Sequence, residues 1–251
     1  MSAHVYRDDS VSTIVLDRRP VNAFNAEHLE DLAAAVDEIR TDVQTRCLVI
    51  KAEGMFSAGA DIDMMAELLD APDRAERMVA FVARMQAVYA GIEALPIPTI
   101  AVIDGAATGG GLELALACDF RIVTTTAKIG LPEVRIGLIP GAGGTQRLTR
   151  VVGPAIAKQL ILSGDLIDGA RAAALGIAHQ AVATGDLDAA VRQLSDRLVA
   201  VSLHAVEAAK RCIAAAGSPD GFTVELDSVR ELITTTETAE RLTAFLTRAR
   251  T

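Results

Sequence analysis

The segment GGGLELALACD, Gly109 to Asp119, places one glutamate among glycines and aliphatic residues. It offers no polar stripe, so a helix formed here is a buried helix and needs apolar neighbours all round. An unpaired carboxylate in such a place is costly and either neutralises or finds partners. Glu113 therefore calls for a chemical reason.

The rest of the chain supplies a suitable interior. Short apolar runs alternate with helical patterns: strand Ser12–Asp17, helix Glu27–Asp42, strand Cys47–Lys51, helix Asp73–Leu95 ended by Pro96 and Pro98, strand Thr99–Asp104 and strand Phe120–Thr124. Gly130–Gly144 reads as loops. Short helices are predicted over Arg147–Val152, Ala155–Leu162 and Gly169–Leu175, with a strand at Ala178–Val182. Leu187–Ala216 and Phe222–Ala249 read as helical. The pattern predicts an α/β core over residues 1–185 and a helical region over 186–251. Amphipathic helices of that kind bury one face on the core or on a neighbouring subunit.

Composition narrows the function. With 251 residues, 51% hydrophobic, the chain can bury a sizeable core. Its apolar runs are too short to span a bilayer, and the start MSAHVYRDDSVSTIVLD lacks signal-peptide character. No membrane association is expected, and the expected location is the cytoplasm. A formal charge of −9 with thinly spread cations argues against a nucleic-acid surface. Cys47, Cys118 and Cys212 and the four histidines form no metal-like spacing, so no metal is expected.

Three glycine-rich loops invite motif readings. GAATGGG lacks the regular G-x-G-x-x-G order, and Tyr89 has Glu93 rather than lysine four residues on, which counts against a nicotinamide enzyme. PGAGGTQRL, Pro140 to Leu148, lacks the lysine of a P-loop. FSAGAD has Met55 where a nucleophile elbow needs glycine, so Ser57 is a poor nucleophile. What FSAGAD and TGGGLE do share is small residues just after a strand, leaving backbone N–H groups open to a ligand. Gly110 stands at the start of the Glu113 helix, where unpaired N–H groups favour negative charge. Two such donors on one carbonyl oxygen make an oxyanion hole. A second carboxylate, Glu133, follows Pro132 in an apolar, turn-rich stretch. Alone it reads equally as a solvated turn residue; beside Glu113 the two can divide acid and base roles.

Four blocks, FSAGADI, GGGLELALACD, LPEVRIGLIPGAGGTQRL and LSGDLIDGARAAALGI, resemble the enoyl-CoA hydratase/isomerase (crotonase) superfamily in order and spacing. The resemblance implies a spiral of ββα units with C-terminal helices that build a trimer or a dimer of trimers. It implies an acyl-CoA substrate, coenzyme A being part of that substrate and no separate cofactor being needed. It maps the oxyanion hole to the N–H groups of Ala58 and Gly110. Ala60, Asp61 and Ile62 match the adenine-contacting segment, and Ala23 the CoA-binding turn. Family hydratases carry two glutamates, matching Glu113 and Glu133, which favours hydration of a trans-2-enoyl-CoA over Δ3-Δ2 isomerisation or another enolate reaction. Glu113 then holds the water and Glu133 protonates C2. Where many relatives have a lysine, this chain has RRPVNAF, leaving a CoA phosphate to Arg18, Arg19 or another cation. A non-catalytic, nucleic-acid-binding member is the reading from a different class, and the acidic charge weighs against it.

Overall fold

The computed structural model describes residues 1–248. It divides into two compact units, Met1–Ser195 and a second from Asp196 on. The first begins with β1 (Ala3–Asp8) and β2 (Val11–Leu16), followed by α1 (Ala26–Thr41), β3 (Cys47–Ala52), α2 (Ile62–Leu69) and α3 (Arg74–Glu93). Next come β4 (Thr99–Ile103), β5 (Ala106–Thr108), α4 (Gly110–Ala117), β6 (Phe120–Thr124), β7 (Lys128–Gly130) and α5 (Gly144–Ser163). It closes with β8 (Ile167–Asp168), α6 (Gly169–Ala174), β9 (Gln180–Val182) and α7 (Leu187–Val199), which runs across the boundary.

The larger sheet has the order β1-β2-β3-β4-β6-β9 and is parallel except for the β1–β2 hairpin. Its inner strands are runs of Val, Ile, Leu and Ala because both faces are covered; all five residues of β4 are buried. β2 alternates buried and half-buried positions instead, as a strand covered mainly on one face does. A second sheet, β5-β7-β8, is extended by the bridges Ser57↔Ala107 and Phe24↔Ala60. A strand of the large sheet, a short strand or bridge of the small sheet, and a helix thus make each turn of a ββα spiral.

The fold class matches the sequence reading, and several details differ. β5, β7 and β8 are two or three residues long, too short for a period of two to show in the sequence. β1 and α2 were not among the expected elements. The two helices expected between Arg147 and Leu162 run on as α5, broken at Gly153 (φ 75°, ψ 165°) ahead of Pro154. In the second unit, α8 (Leu203–Ala214), α9 (Gly221–Ile233) and α10 (Thr236–Arg248) follow one another. The expected helical stretch from Leu187 breaks where the Ser202 side chain caps α8 by accepting from Ala205 N–H. Arg211 joins α8 to α9 through Glu231 at 2.6 Å. The Ala249 end of the last expected helix lies outside the described residues.

All eight residues of α4 are buried, so its last carbonyls cannot turn to water. Arg121, at the second position of β6, meets part of this need: Nη1 donates to Ala115 O at 3.2 Å and to the carbonyl of the capping Cys118 at 2.7 Å, while Nε donates to Ile177 O at 2.6 Å. This one buried side chain fixes the far end of the helix that carries Glu113. Arg121→Met removes these three charge-assisted hydrogen bonds and is expected to cost about 3 kcal/mol in urea unfolding. A loss below about 0.5 kcal/mol would show that the helix end is held by packing alone.

Candidate active site

The site starts from two backbones brought unusually close. Gly111, on the first turn of α4, lies against the loop after β3: a Cβ there would sit 2.5 Å from the Ser57 carbonyl oxygen. Gly59 has φ +94°, and a Cβ on it would come within 3.1 Å of the Gly110 nitrogen. Only glycine satisfies both demands, close approach and left-handed backbone. Ser57 is fully buried, donating from Oγ to Asn22 O at 2.7 Å and accepting from Gly59 N–H at 3.1 Å. Its hydroxyl shapes the loop. From α3, the buried Tyr89 hydroxyl donates to Gly110 O at 3.0 Å.

This geometry revises one of the expected donors. The Ala58 N–H donates to Val21 O at 2.9 Å, so it is engaged within the protein. Two residues on, the bridge with Phe24 uses the flanking groups, Phe24 N–H to Gly59 O and Asp61 N–H to Phe24 O. The Ala60 N–H between them has no partner among the hydrogen bonds of the described residues. Gly110 N–H, at the first position of α4, lies beyond the reach of intrahelical acceptors. Ala58, Ala60 and Gly110 all line one cavity of about 620 Å³.

Glu113 and Glu133 line the same cavity. Glu113 is 3% exposed, and its Oε1 accepts from Gly144 N–H at 2.8 Å, with the Ala142 backbone as a further donor. Burial pushes its pKa up to about 7, and the neighbouring Glu133 charge adds to this; the two backbone donors and the Arg147 charge hold it down. Glu133 begins a 3-10 turn, Glu133–Ile136, that ends at Gly137 in the left-handed region (φ 78°). Its buried Oε2 has no hydrogen-bond partner among the described residues, and burial raises its pKa too. The remaining wall is mostly apolar: Met65 of α2, Met78, Phe81, Val82 and Met85 of α3, and Leu138 and Ile139. The arrangement is an apolar chamber lined by two carboxyl groups and by two amides with no partner among the described residues.

The residues expected to touch CoA divide. Ala60 and Ile62 line the cavity, Ile62 being 82% exposed. Ala23 and Asp61 are not among its lining residues. Asp61 caps α2, its Oδ1 accepting from Asp63 N–H at 2.8 Å and Met64 N–H at 3.1 Å, and its Oδ2 pairs with Arg18 at 2.5 Å. Burial works against its charge, but these bonds hold its pKa below the ordinary carboxylate value. Arg18 also donates to Ala23 O at 2.9 Å, and Arg19 pairs with Glu53 at 2.8 Å. Both cations considered for a CoA phosphate thus already have carboxylate partners. Sequence reasoning missed Arg147 and Tyr89: Arg147 stands among polar neighbours, Thr145, Gln146 and Thr149, and nothing local marks it out. Among the described residues no cluster of His, Cys, Asp or Glu is arranged to hold a metal, and no helix is long and apolar enough to cross a membrane.

The raised Glu113 pKa has a consequence for stability. The folded chain holds a proton there that the unfolded chain, at an ordinary value of 4.5, has released. Stability from this group is therefore complete below about pH 4.5 and is lost as pH rises through about 7. Glu113→Gln removes the effect. From pH 4.5 to pH 8 the variant should gain about 3 kcal/mol relative to the unaltered protein in urea unfolding. A constant difference across that range would mean that Glu113 titrates normally.

Comparisons with known proteins agree with this architecture. The profile described as enoyl-CoA hydratase/isomerase matches residues 6–250. Rat mitochondrial methylglutaconyl-CoA hydratase is 44% identical over 178 residues, covering 70% of this chain and 55% of that protein. The match thus spans about half the length of that relative. Crotonyl-CoA hydratase from Syntrophomonas wolfei is 35% identical over 246 residues, with 96% of this chain and 93% of that one covered. The crystal structure of enoyl-CoA hydratase from Bacillus anthracis is similar at a TM-score of 0.91 and 32% identity, covering 99% of this chain and 97% of that one. With the ββα spiral and its glycine-built junction in place, a match of this extent means that the chain belongs to the enoyl-CoA hydratase/isomerase family.

Proposed function

We propose that this chain is a hydro-lyase that adds water across the C2–C3 double bond of a trans-2-enoyl-CoA, giving a 3-hydroxyacyl-CoA. The observation that carries the reading is the buried Glu113 and half-buried Glu133 opening into one cavity beside the Ala60 and Gly110 amides, which have no partner among the described residues. Names of relatives, among them the Syntrophomonas crotonyl-CoA hydratase, support the same class. Coenzyme A enters as part of the substrate, with Ala60 and Ile62 along its path and Ala23, Asp61 and Arg18 shaping the loop behind it. A trimer or dimer of trimers, and a place in acyl-CoA breakdown, belong to the same proposal.

The chemistry follows from the groups present. The thioester oxygen sits between the Ala60 and Gly110 N–H groups, which stabilise the charge that develops on it by ~3–4 kcal/mol each. Ala60 takes the place first given to Ala58, whose N–H is committed to Val21. With a pKa of about 7, Glu113 is substantially ionised at neutral pH, so it can accept a proton from a water as the water oxygen bonds to C3. The C2–C3 π electrons move into the thioester to give an enolate. Glu133, whose pKa burial raises, delivers a proton to C2 as the enolate collapses. Both carboxyls face one cavity, which suits addition to a single face of the double bond.

A second reading has one observation in its favour. Glu113 is held by backbone donors, whereas Glu133 Oε2 is unpartnered and free to carry a proton between carbons, as a Δ3-Δ2 enoyl-CoA isomerase requires. Incubation with crotonyl-CoA separates the two. Loss of the conjugated thioester absorbance, with a product heavier by one water, is expected. Glu113→Gln and Glu133→Gln should each lower the rate by at least ~100-fold while retaining fold and CoA binding. A Glu113→Gln variant of normal activity would remove the two-carboxylate mechanism. No hydration of crotonyl-CoA or longer enoyl-CoAs, with a 3-enoyl-CoA converted to its 2-enoyl isomer, would establish the isomerase instead.

A further inference from the structure

The Glu113 carboxylate depends on a turn that another side chain holds. Gly141–Gly144 passes beneath it, presenting the Gly144 N–H at 2.8 Å together with the Ala142 backbone. Gln86 grips one end of the turn, Nε2 donating to Gly141 O at 2.6 Å. Arg147, on the first turns of α5, grips the middle, Nη1 donating to Ala142 O at 3.1 Å. Gly143 has φ +109°, and a Cβ on it would fall 2.1 Å from Nη1, so the guanidinium lies directly against that glycine. The other edge of the guanidinium is fixed on Glu93 of α3, by Nε at 3.1 Å and Nη2 at 2.8 Å. Only 10% of the Arg147 side chain is exposed.

We propose that Arg147 is a positioning residue for Glu113: it braces the turn whose amides hold the carboxylate, and it sets a positive charge behind that turn. The proposal deepens the hydratase reading and rests on it. The ionisable groups felt at Glu113 come from three directions, Glu133 from the 3-10 turn, Tyr89 from α3 and Arg147 from α5. Of these, Arg147 alone carries positive charge; that charge opposes burial less than the Gly144 and Ala142 amides do, and those amides belong to the turn that Arg147 braces. Arginine suits the place because its planar fork meets Glu93 and the Ala142 carbonyl at once, which a lysine ammonium cannot do in the same geometry.

The test is the titration of Glu113 in the full chain, followed by carbon NMR on protein labelled at glutamate carboxyls and assigned by the signal lost in Glu113→Gln. The pH profile of crotonyl-CoA turnover is measured beside it. Arg147→Met is expected to raise the Glu113 titration and the acid limb of kcat together by about one pH unit. At pH 7 kcat should fall about 10-fold with KM changed less than about 3-fold, as when a base is misplaced rather than binding lost. Arg147→Lys retains the charge and should keep the titration, yet still lose several-fold in kcat. An unshifted Glu113 titration in Arg147→Met, with only lowered stability, overturns the proposal. If that variant does not fold, an Arg147→Lys protein with unaltered kcat overturns it instead. Failure of the unaltered protein to hydrate any enoyl-CoA sinks the hydratase reading, while the NMR titration still decides the role of Arg147.

Discussion

Everything in the site depends on how closely the loop after β3 and the first turn of α4 approach each other. A side chain at Gly111 would overlap the Ser57 carbonyl, and one at Gly59 would crowd the Gly110 nitrogen. With those side chains absent, the loop after β3 and the first turn of α4 bring the Ala60 and Gly110 amides to one cavity. The same approach sets the register of α4, so that Glu113, three residues past Gly110, projects into the chamber rather than into the sheet. Backbone contact of this kind is stiff because nothing in it rotates, which is what the proposed oxyanion hole needs in order to stabilise charge without reorganising.

Around that junction, the electrostatics follow from burial. Two carboxyls in an apolar chamber are each pushed toward the neutral form, and the charge on Glu133 pushes Glu113 further. The protein answers the two differently. Burial takes the Glu113 titration up to about 7 against the pull of backbone amides and a nearby guanidinium; Glu133 has an oxygen with no hydrogen-bond partner among the described residues. The support reaches back through Arg147 to Glu93, and through Arg121 to the closing carbonyls of α4.

Much of this was legible in the chain itself. The inner strands stood out because burial on both faces demands unbroken apolar runs, and β4 lies within one residue of its expected end. α1 and α3 were set by their 3.6-residue periodicity and by Pro96 and Pro98. β5, β7 and β8 were not legible, since two or three residues carry no period, and their strand character comes from pairing partners far away in sequence. α2 was hidden behind the loop reading of FSAGAD, although Asp61 before an apolar run is a helix-start signal.

The sequence by itself determined the chemistry available: a glutamate in a helix with no polar face, a second glutamate after a proline, and glycines where amides must stay uncovered. Residue type and spacing suffice for that, because burial and backbone access are properties of local composition. Only the tertiary structure decided which amide faces the chamber. Ala58 and Ala60 are alike in sequence, but the left-handed turn at Gly59 gives the Ala58 N–H to Val21 and leaves the Ala60 N–H unbonded. It also decided what surrounds Glu113, since Arg147 meets Glu93 across a separation of 54 residues. Direction of a peptide bond and contact between distant side chains are set by how the elements pack, and a one-dimensional pattern holds no record of either.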